Sequence, residues 1–244
     1  MSAAVVIVGQ HQGPEVVRFA LGHGEDPQDE LATRGWDVVG PAVGPSLAPA
    51  LGWHTEQDPW RVVLAYDVVP RTGPAQGYQR QARVVRDIQV SPAQATRAVA
   101  RQRLAAYAVI SWGDCVLLTE LSGRTNAPGR WTFPGGGLED GEDVEAGLRR
   151  EVWEESNQHI EQISVLGVQS SHWIGAAPNG ILEDFHAVRL VHIADCPRPR
   201  QLRVHDVGGS TSAAAWIPWK ELTRWPVVAS FAPVLTTLAS RHRR

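Results

Sequence analysis

The sequence predicts an α/β protein, and three observations carry that expectation. Short runs rich in β-branched and aromatic residues recur along the chain, separated by Gly/Pro-rich turns. One segment, Val144 to Ser156, instead places Val144, Leu148 and Val152 at four-residue intervals, the spacing of one helical face. That segment follows directly on a glycine-rich turn, so strands and helices alternate as in mixed folds.

Residues 2–8 open the chain as an apolar strand. They lack a basic leader and are cut short by Gln10-His11-Gln12, which argues against a signal peptide. Residues 16–21 form a second strand. The spaced glycines before it resemble a dinucleotide loop, but an extended segment follows where a helix is needed, so a plain hairpin is favoured. Residues 27–34 read as a short helix, 36–39 as a strand and 41–49 as a loop, and 61–69 and 84–90 are strongly β-like. Ser91-Pro92 then opens a helix, with serine as cap and proline at the first helical position, ending near Arg101. The expected organisation is a small α+β N-terminal domain of unassigned role at 1–90, a linker helix at 91–102, and a second domain at 103–244.

In the second domain, 104–110 and 115–121 read as strands around Trp112-Gly113-Asp114. Further strands follow at 163–170, 185–193 and 213–218, then a helical turn at 219–224. A terminal helix at 233–243 carries cationic residues at its C-terminal end, where the helix dipole favours them.

Composition narrows the function classes. A length of 244 residues suits one large or two small domains, and 43% hydrophobic with 20% charged residues fits a soluble globular protein. A net charge of −3 gives no electrostatic reason for nucleic-acid binding. No apolar run approaches the ~18 residues that span a bilayer, so no membrane partner is expected. Cys115 and Cys196 read as reduced or incidental thiols of a cytoplasmic protein.

The chemistry concentrates between Gly136 and Glu155, which reads Gly-x5-Glu-x7-Arg-Glu-Val-x-Glu-Glu. Val152 set aside, the six fixed residues at average frequencies recur by chance in roughly one such chain in a hundred thousand. Pro134 and Gly135-Gly136-Gly137 predict a sharp loop with positive φ. Asp143 is the expected N-cap of the helix, and Asn157 its left-handed stop. Glu151 then lies beside Glu154 and Glu155, three and four positions along, with Glu142 one turn before. Like charges at that spacing repel, and a cation offsets the repulsion. Oxygen-only donors favour Mg²⁺ or Mn²⁺ over zinc. Arg150 can reach Glu154 or turn back to Glu142 and orient the carboxylates.

These residues resemble the Nudix box, Gly-x5-Glu-x7-Arg-Glu-U-x-Glu-Glu-x-Gly-U with U a bulky aliphatic. Gly136, Glu142, Arg150, Glu151, Val152, Glu154 and Glu155 fall on its positions, while Asn157 and Gln158 depart from it. Asn keeps the left-handed geometry within reach, and Gln158 is expected to remove a packing contact, not a ligand. The resemblance, from about Arg103 to the C-terminus, implies a Nudix-type α/β/α sandwich with a mixed sheet. It further implies Mg²⁺- or Mn²⁺-dependent hydrolysis of a phosphoanhydride in a nucleoside-diphosphate-linked small molecule, with a homodimer possible. Glu151, Glu154 and Glu155 would ligate metal, with a carbonyl from Gly135. The backbone of Gly135, Gly136 and Gly137, with Arg130 and Arg103, would hold phosphate, and Arg124 is a further candidate positive partner. The general base stays open among Glu154, Glu151, Glu183, Asp184 and Glu120. Trp131, Trp153 and Trp173 are candidates to stack on a base.

A ligand-sensing or interaction protein that keeps the fold without turnover is the alternative, although such relatives usually lose box glutamates. Isoprenoid diphosphate isomerisation needs a reactive cysteine, and Cys115 sits in an apolar strand. His172, His186, His192 and His205 show no metal-ligand spacing and read as packing or hydrogen-bonding residues, with His186 the first exception to consider.

Overall fold

A computed structural model describes residues 4–40, 47–57, 60–73, 90–177, 180–232, 234, 235 and 238. The expected strand at 84–90 lies almost wholly outside the described residues, as does much of the expected terminal helix. The elements run β1 (Ala4–Gln10), β2 (Glu15–Ala20), α1 (Pro27–Thr33), β3 (Trp36–Val38), β4 (Gly52–Gln57), β5 (Trp60–Pro70) and α2 (Pro92–Ala95). They continue with β6 (Val99–Trp112), β7 (Cys115–Leu121), β8 (Trp131–Thr132), β9 (Gly135–Gly137), α3 (Val144–Ser156), β10 (Glu161–Ala176), β11 (Leu182–Asp195) and β12 (Thr211–Pro218), closed by a 3-10 turn at Trp219–Arg224.

The chain forms two compact units, and the division does not follow the sequence order expected above. The first unit takes residues 1–42, 48–104 and 167–189, and the second takes 43–47, 105–166 and 190–244. Three strands, β6, β10 and β11, therefore contribute residues to both. The expected linker helix is correspondingly short. The Ser91 hydroxyl caps it, accepting from Gln94 N at 3.3 Å and donating to Gln94 Oε1 at 2.9 Å, but α2 stops at Ala95 and β6 begins at Val99. The cap signal at Ser91 fixes only one turn, and nothing in the mostly exposed run from Val99 to Arg103 prolongs the helix with an apolar face.

In the first unit β5 is the central strand of the sheet β2-β1-β5-β3, with β4 also paired to β5. β1 runs parallel to β5, pairing Val5 with Val62 and Ile7 with Leu64, and β2, β3 and β4 pair antiparallel. Asp26 caps α1 by accepting from Gln28 N at 2.9 Å, and Leu31 buries fully.

In the second unit β7 separates two layers by alternation. Val116 and Leu118 join a core with Ile217, Trp219, Phe231, Val234 and Leu235. Thr119 faces the other way and reaches Glu155 on α3. Helical residues thus cover both faces of this sheet, as an α/β/α sandwich requires, and the fold is mixed α/β. Val144, Leu148 and Val152 are fully buried, and each such side chain contributes about 1.5–3 kcal/mol. No helix among the described residues is long and apolar enough to cross a membrane.

Candidate active site

Helix α3 sets the site. Asp143 caps it, accepting from Glu145 N at 2.9 Å and Ala146 N at 3.3 Å. Asn157 ends it at φ 62°, the left-handed stop expected from the sequence. Its side chain donates to Gln201 O at 2.9 Å and faces His205 Nε2 at 3.0 Å, so asparagine supplies anchors that glycine lacks. Gln158 corrects the expectation of a lost packing contact. It is buried, donates to Ser156 O and Arg200 O at 3.0 Å each, and accepts from Arg200 N at 2.8 Å.

The glycines are not a loop, as the sequence suggested, but strand β9, paired antiparallel to β6 from Ala105↔Gly137 to Tyr107↔Gly135. Their role is close approach. A Cβ on Gly135, whose φ is +136°, would stand 2.2 Å from Ala106 O. One on Gly136 would stand 2.5 Å from the Glu151 carboxyl carbon. Only bare backbone lets the strand lie against that carboxylate.

Glu155 is the buried anchor, 4% exposed. It accepts from Gly135 N at 2.9 Å, from the Thr211 hydroxyl, and more distantly from Thr119 Oγ1 at 3.5 Å. Burial pushes its carboxyl up to about 8; the Thr211 and Gly135 bonds act against this, and the neighbouring charge of Glu151 adds to it. Arg150 forks onto Glu142, with Nε to Oε1 at 2.8 Å and Nη2 to Oε2 at 2.9 Å. Its Nη1 reaches Glu151 at 3.1 Å and Glu154 at 3.2 Å, and Nη2 reaches Gly137 O at 3.3 Å. That hydrogen bonding holds Glu142 below the usual carboxylate range despite partial burial. Arg150 therefore meets both reaches foreseen for it, to Glu154 and back to Glu142.

Glu151, Glu154 and Glu155 present oxygen donors only, from a helix end where a buried carboxylate meets a like charge. That donor set fits a hard divalent cation, which would relieve both penalties. The three are not drawn tightly together. Among the described residues, the only three His, Cys, Asp or Glu ligand atoms within 4.8 Å of one another belong to His23, His172 and Asp184 in the first unit.

Other candidates are placed differently. Glu183 belongs to the first unit and pairs with Arg101 at 3.1 Å. Arg103, also of the first unit, is exposed, as is Arg130 just before β8. Glu120 follows Thr119 on β7, so alternation turns it to the opposite sheet face from Glu155, where Ser212 donates to it at 2.9 Å. Trp131 packs edge-on to Trp225, Trp173 leans on Phe185, and Trp153 stacks on His205 at 4.1 Å with a 5° interplanar angle. Each thus has an aromatic neighbour. The sequence reading missed a cavity of about 450 Å³ lined by Ser122, Arg124, Val204, Asp206, Thr211 and Ser212. It adjoins the hydroxyl that holds Glu155. No spacing rule links its walls, which come from the turn after β7, the connection before β12 and the first residues of β12.

Comparison with known proteins agrees with this geometry. Residues 101–238 match the family model of the NUDIX domain. "Nudix hydrolase 2" of Arabidopsis thaliana is 28% identical over 131 residues, 54% of this chain and 44% of that protein. "Nucleoside triphosphatase NudI" of Enterobacter sp. (strain 638) is 39% identical over 66 residues, 27% of this chain and 47% of that protein. The chain thus spans less than half the length of these curated relatives. Among solved structures, the MutT NUDIX hydrolase from Burkholderia pseudomallei is 25% identical with a TM-score of 0.46, covering 57% of this chain and 98% of that one. With more than half of its residues inside the matched domain, and the box acids held at one helix end, the chain belongs to the Nudix family.

Proposed function

We propose that this chain hydrolyses a phosphoanhydride in a nucleoside-diphosphate-linked small molecule, with Mg²⁺ or Mn²⁺ held by Glu151, Glu154 and Glu155. The observation that carries the reading is Glu155, a carboxylate almost wholly out of water, locked to Gly135 N beside the like charge of Glu151. Such a costly arrangement is stable with a cation as counter-charge. When bound, that ion neutralises phosphate oxygens and acidifies a bound water. The chain's own residues do the placing. Arg150 fixes Glu142, Glu151 and Glu154 in one fan, and Gly136 brings backbone to the carboxylates. Glu154, the most exposed of the three, takes the proton of the attacking water. Arg124 in the cavity wall meets substrate phosphate. The relatives named as nucleoside triphosphatases support a nucleotide-derived substrate.

Purified protein is incubated with Mg²⁺ and a panel of nucleotide sugars, dinucleotides and oxidised triphosphates, reading released phosphate or nucleoside monophosphate. Glu154→Gln is expected to lose most turnover while staying folded; near-wild-type rates remove it from the catalytic set. No release from any compound favours the alternative, ligand binding without turnover, which the hold of Arg150 on the acids would suit.

A further inference from the structure

A second cluster lies within the first unit, and it takes up Asp184, named above among the general-base candidates, between two imidazoles. His23 comes from the turn between β2 and α1, His172 from β10 and Asp184 from β11. His172 Nε2 is hydrogen-bonded to Asp184 Oδ1, and His23 Nε2 lies 3.2 Å from the same oxygen. Both Nε2 atoms therefore converge on one carboxylate oxygen, with the two rings nearly perpendicular, 83° apart and 5.3 Å between centroids. His23 Nε2 is shut off from solvent without a well-aligned hydrogen bond.

The surroundings hold this convergence in place. Glu25 closes the turn by accepting from Gly22 N at 2.7 Å, and its carbonyl accepts from Ser170 on β10 at 3.3 Å. Gly24 has φ +74°, and a Cβ there would stand 2.9 Å from the His172 ring, so only glycine admits this approach. Ser170 and His172 share one face of β10, and Asp184 and His186 share one face of β11. Fully buried His186 forms the inner wall, its Nδ1 against Gln102 Nε2 and its Nε2 against Ser170 Oγ, each at 3.0 Å. With both nitrogens engaged, it supports the site without entering it.

We propose that His23, His172 and Asp184 form a three-ligand site for a borderline divalent metal, zinc foremost. Two imidazoles and one carboxylate are the donor set such ions take, unlike the all-oxygen set on α3. Tetrahedral bonds of ~2.0–2.1 Å put donors about 3.3 Å apart. The three atoms here lie within 4.8 Å of one another, and closing on an ion needs side-chain adjustment only. Three protein ligands leave a fourth position for water. The ion replaces the His172 hydrogen bond and the His23 contact at Asp184 and ties the turn at Gly22 to Glu25 onto β10 and β11.

The test uses the full chain without an affinity tag, stripped by chelator and titrated with Co²⁺ as a spectroscopic stand-in. One equivalent is expected to develop the intense visible bands of a four-coordinate N/O site, which octahedral oxygen ligation does not give. A box variant, Glu151→Gln with Glu154→Gln, should keep the bands. His23→Gln and His172→Gln should each weaken binding by more than roughly the 100-fold that loss of an outer partner costs. Circular dichroism of both histidine variants separates ligand loss from unfolding. Asp184→Asn, which keeps a hydrogen-bonding side chain of the same shape, gives an independent loss of the bands. Absent bands, bands that survive both histidine substitutions, or bands lost only in the box variant would each overturn the site.

Discussion

Glu155 gives the sharpest handle on the energetics. Glu155→Gln is nearly isosteric, and the surroundings can satisfy it. Its carbonyl oxygen can accept from Gly135 N, and its amide can donate to Thr211 Oγ1, since a hydroxyl reverses where a backbone N–H cannot. The substitution therefore removes the charge and keeps the contacts. In the metal-free wild type, burial holds the folded-state carboxyl at about 8 against an ordinary 4.5. The folded state then binds more protons than the unfolded one between these values. The contribution is fully present below pH 4.5 and is lost as pH rises through 8. At about 1.36 kcal/mol per pH unit, the gap corresponds to about 3–5 kcal/mol of pH-dependent destabilisation. Urea unfolding in the presence of chelator, at pH 5 and pH 9, should find the variant close to wild type at the lower pH and more stable by about that amount at the higher. Saturating Mg²⁺ should narrow the difference at pH 9 by stabilising wild type alone. Parallel curves for the two proteins across this range, with chelator present, would refute the argument that this carboxylate is held against its charge.

Three further substitutions probe the same frame. Gly136→Ala drives a methyl to within 2.5 Å of the Glu151 carboxyl carbon, so Glu151 must swing away; turnover should fall at least about tenfold with a smaller loss of stability, read from initial rates and thermal melts. Arg150→Lys keeps a cation but cannot fork onto Glu142 while also reaching Glu151 and Glu154. A loss of about 1–2 kcal/mol is expected, small because the side chain is 26% exposed, with a larger fall in rate; denaturant midpoints and kinetics separate the two. Asn157→Gly trades two side-chain anchors for an easier left-handed backbone. The two effects oppose, and the net change in unfolding free energy should stay within about 1 kcal/mol.

The parts of this molecule legible in its sequence are those fixed by local chemistry. Asp143 and Asn157 bound α3 because a cap and a left-handed stop depend on a few neighbouring residues. The placement of the acids on one end of α3 was readable from helical spacing, but that spacing does not bring the ligand atoms of Glu151, Glu154 and Glu155 all within 4.8 Å of one another. Local signals failed where partners are distant. Three glycines carry no strand signature, yet β9 forms because β6 supplies its hydrogen bonds. Strand β4, Gly52–Gln57, is partly exposed and mostly polar, and pairing with β5 decides it. Gln158 reads as a defect in a motif until Arg200 appears beside it, and His23 acquires meaning only when the chain returns at His172 and Asp184.

The sharing of β6, β10 and β11 between the two units bears on any attempt to shorten this protein. A fragment trimmed to the family-matched span would begin inside β6 and would lack the turn that carries His23 and the carbonyl of Glu25. Ser170 would lose the carbonyl of Glu25, Asp184 the imidazole of His23, and His172 the His23 ring that stands against it. The boundaries drawn by family likeness and by physical packing differ here, and excision at the former cuts through the latter.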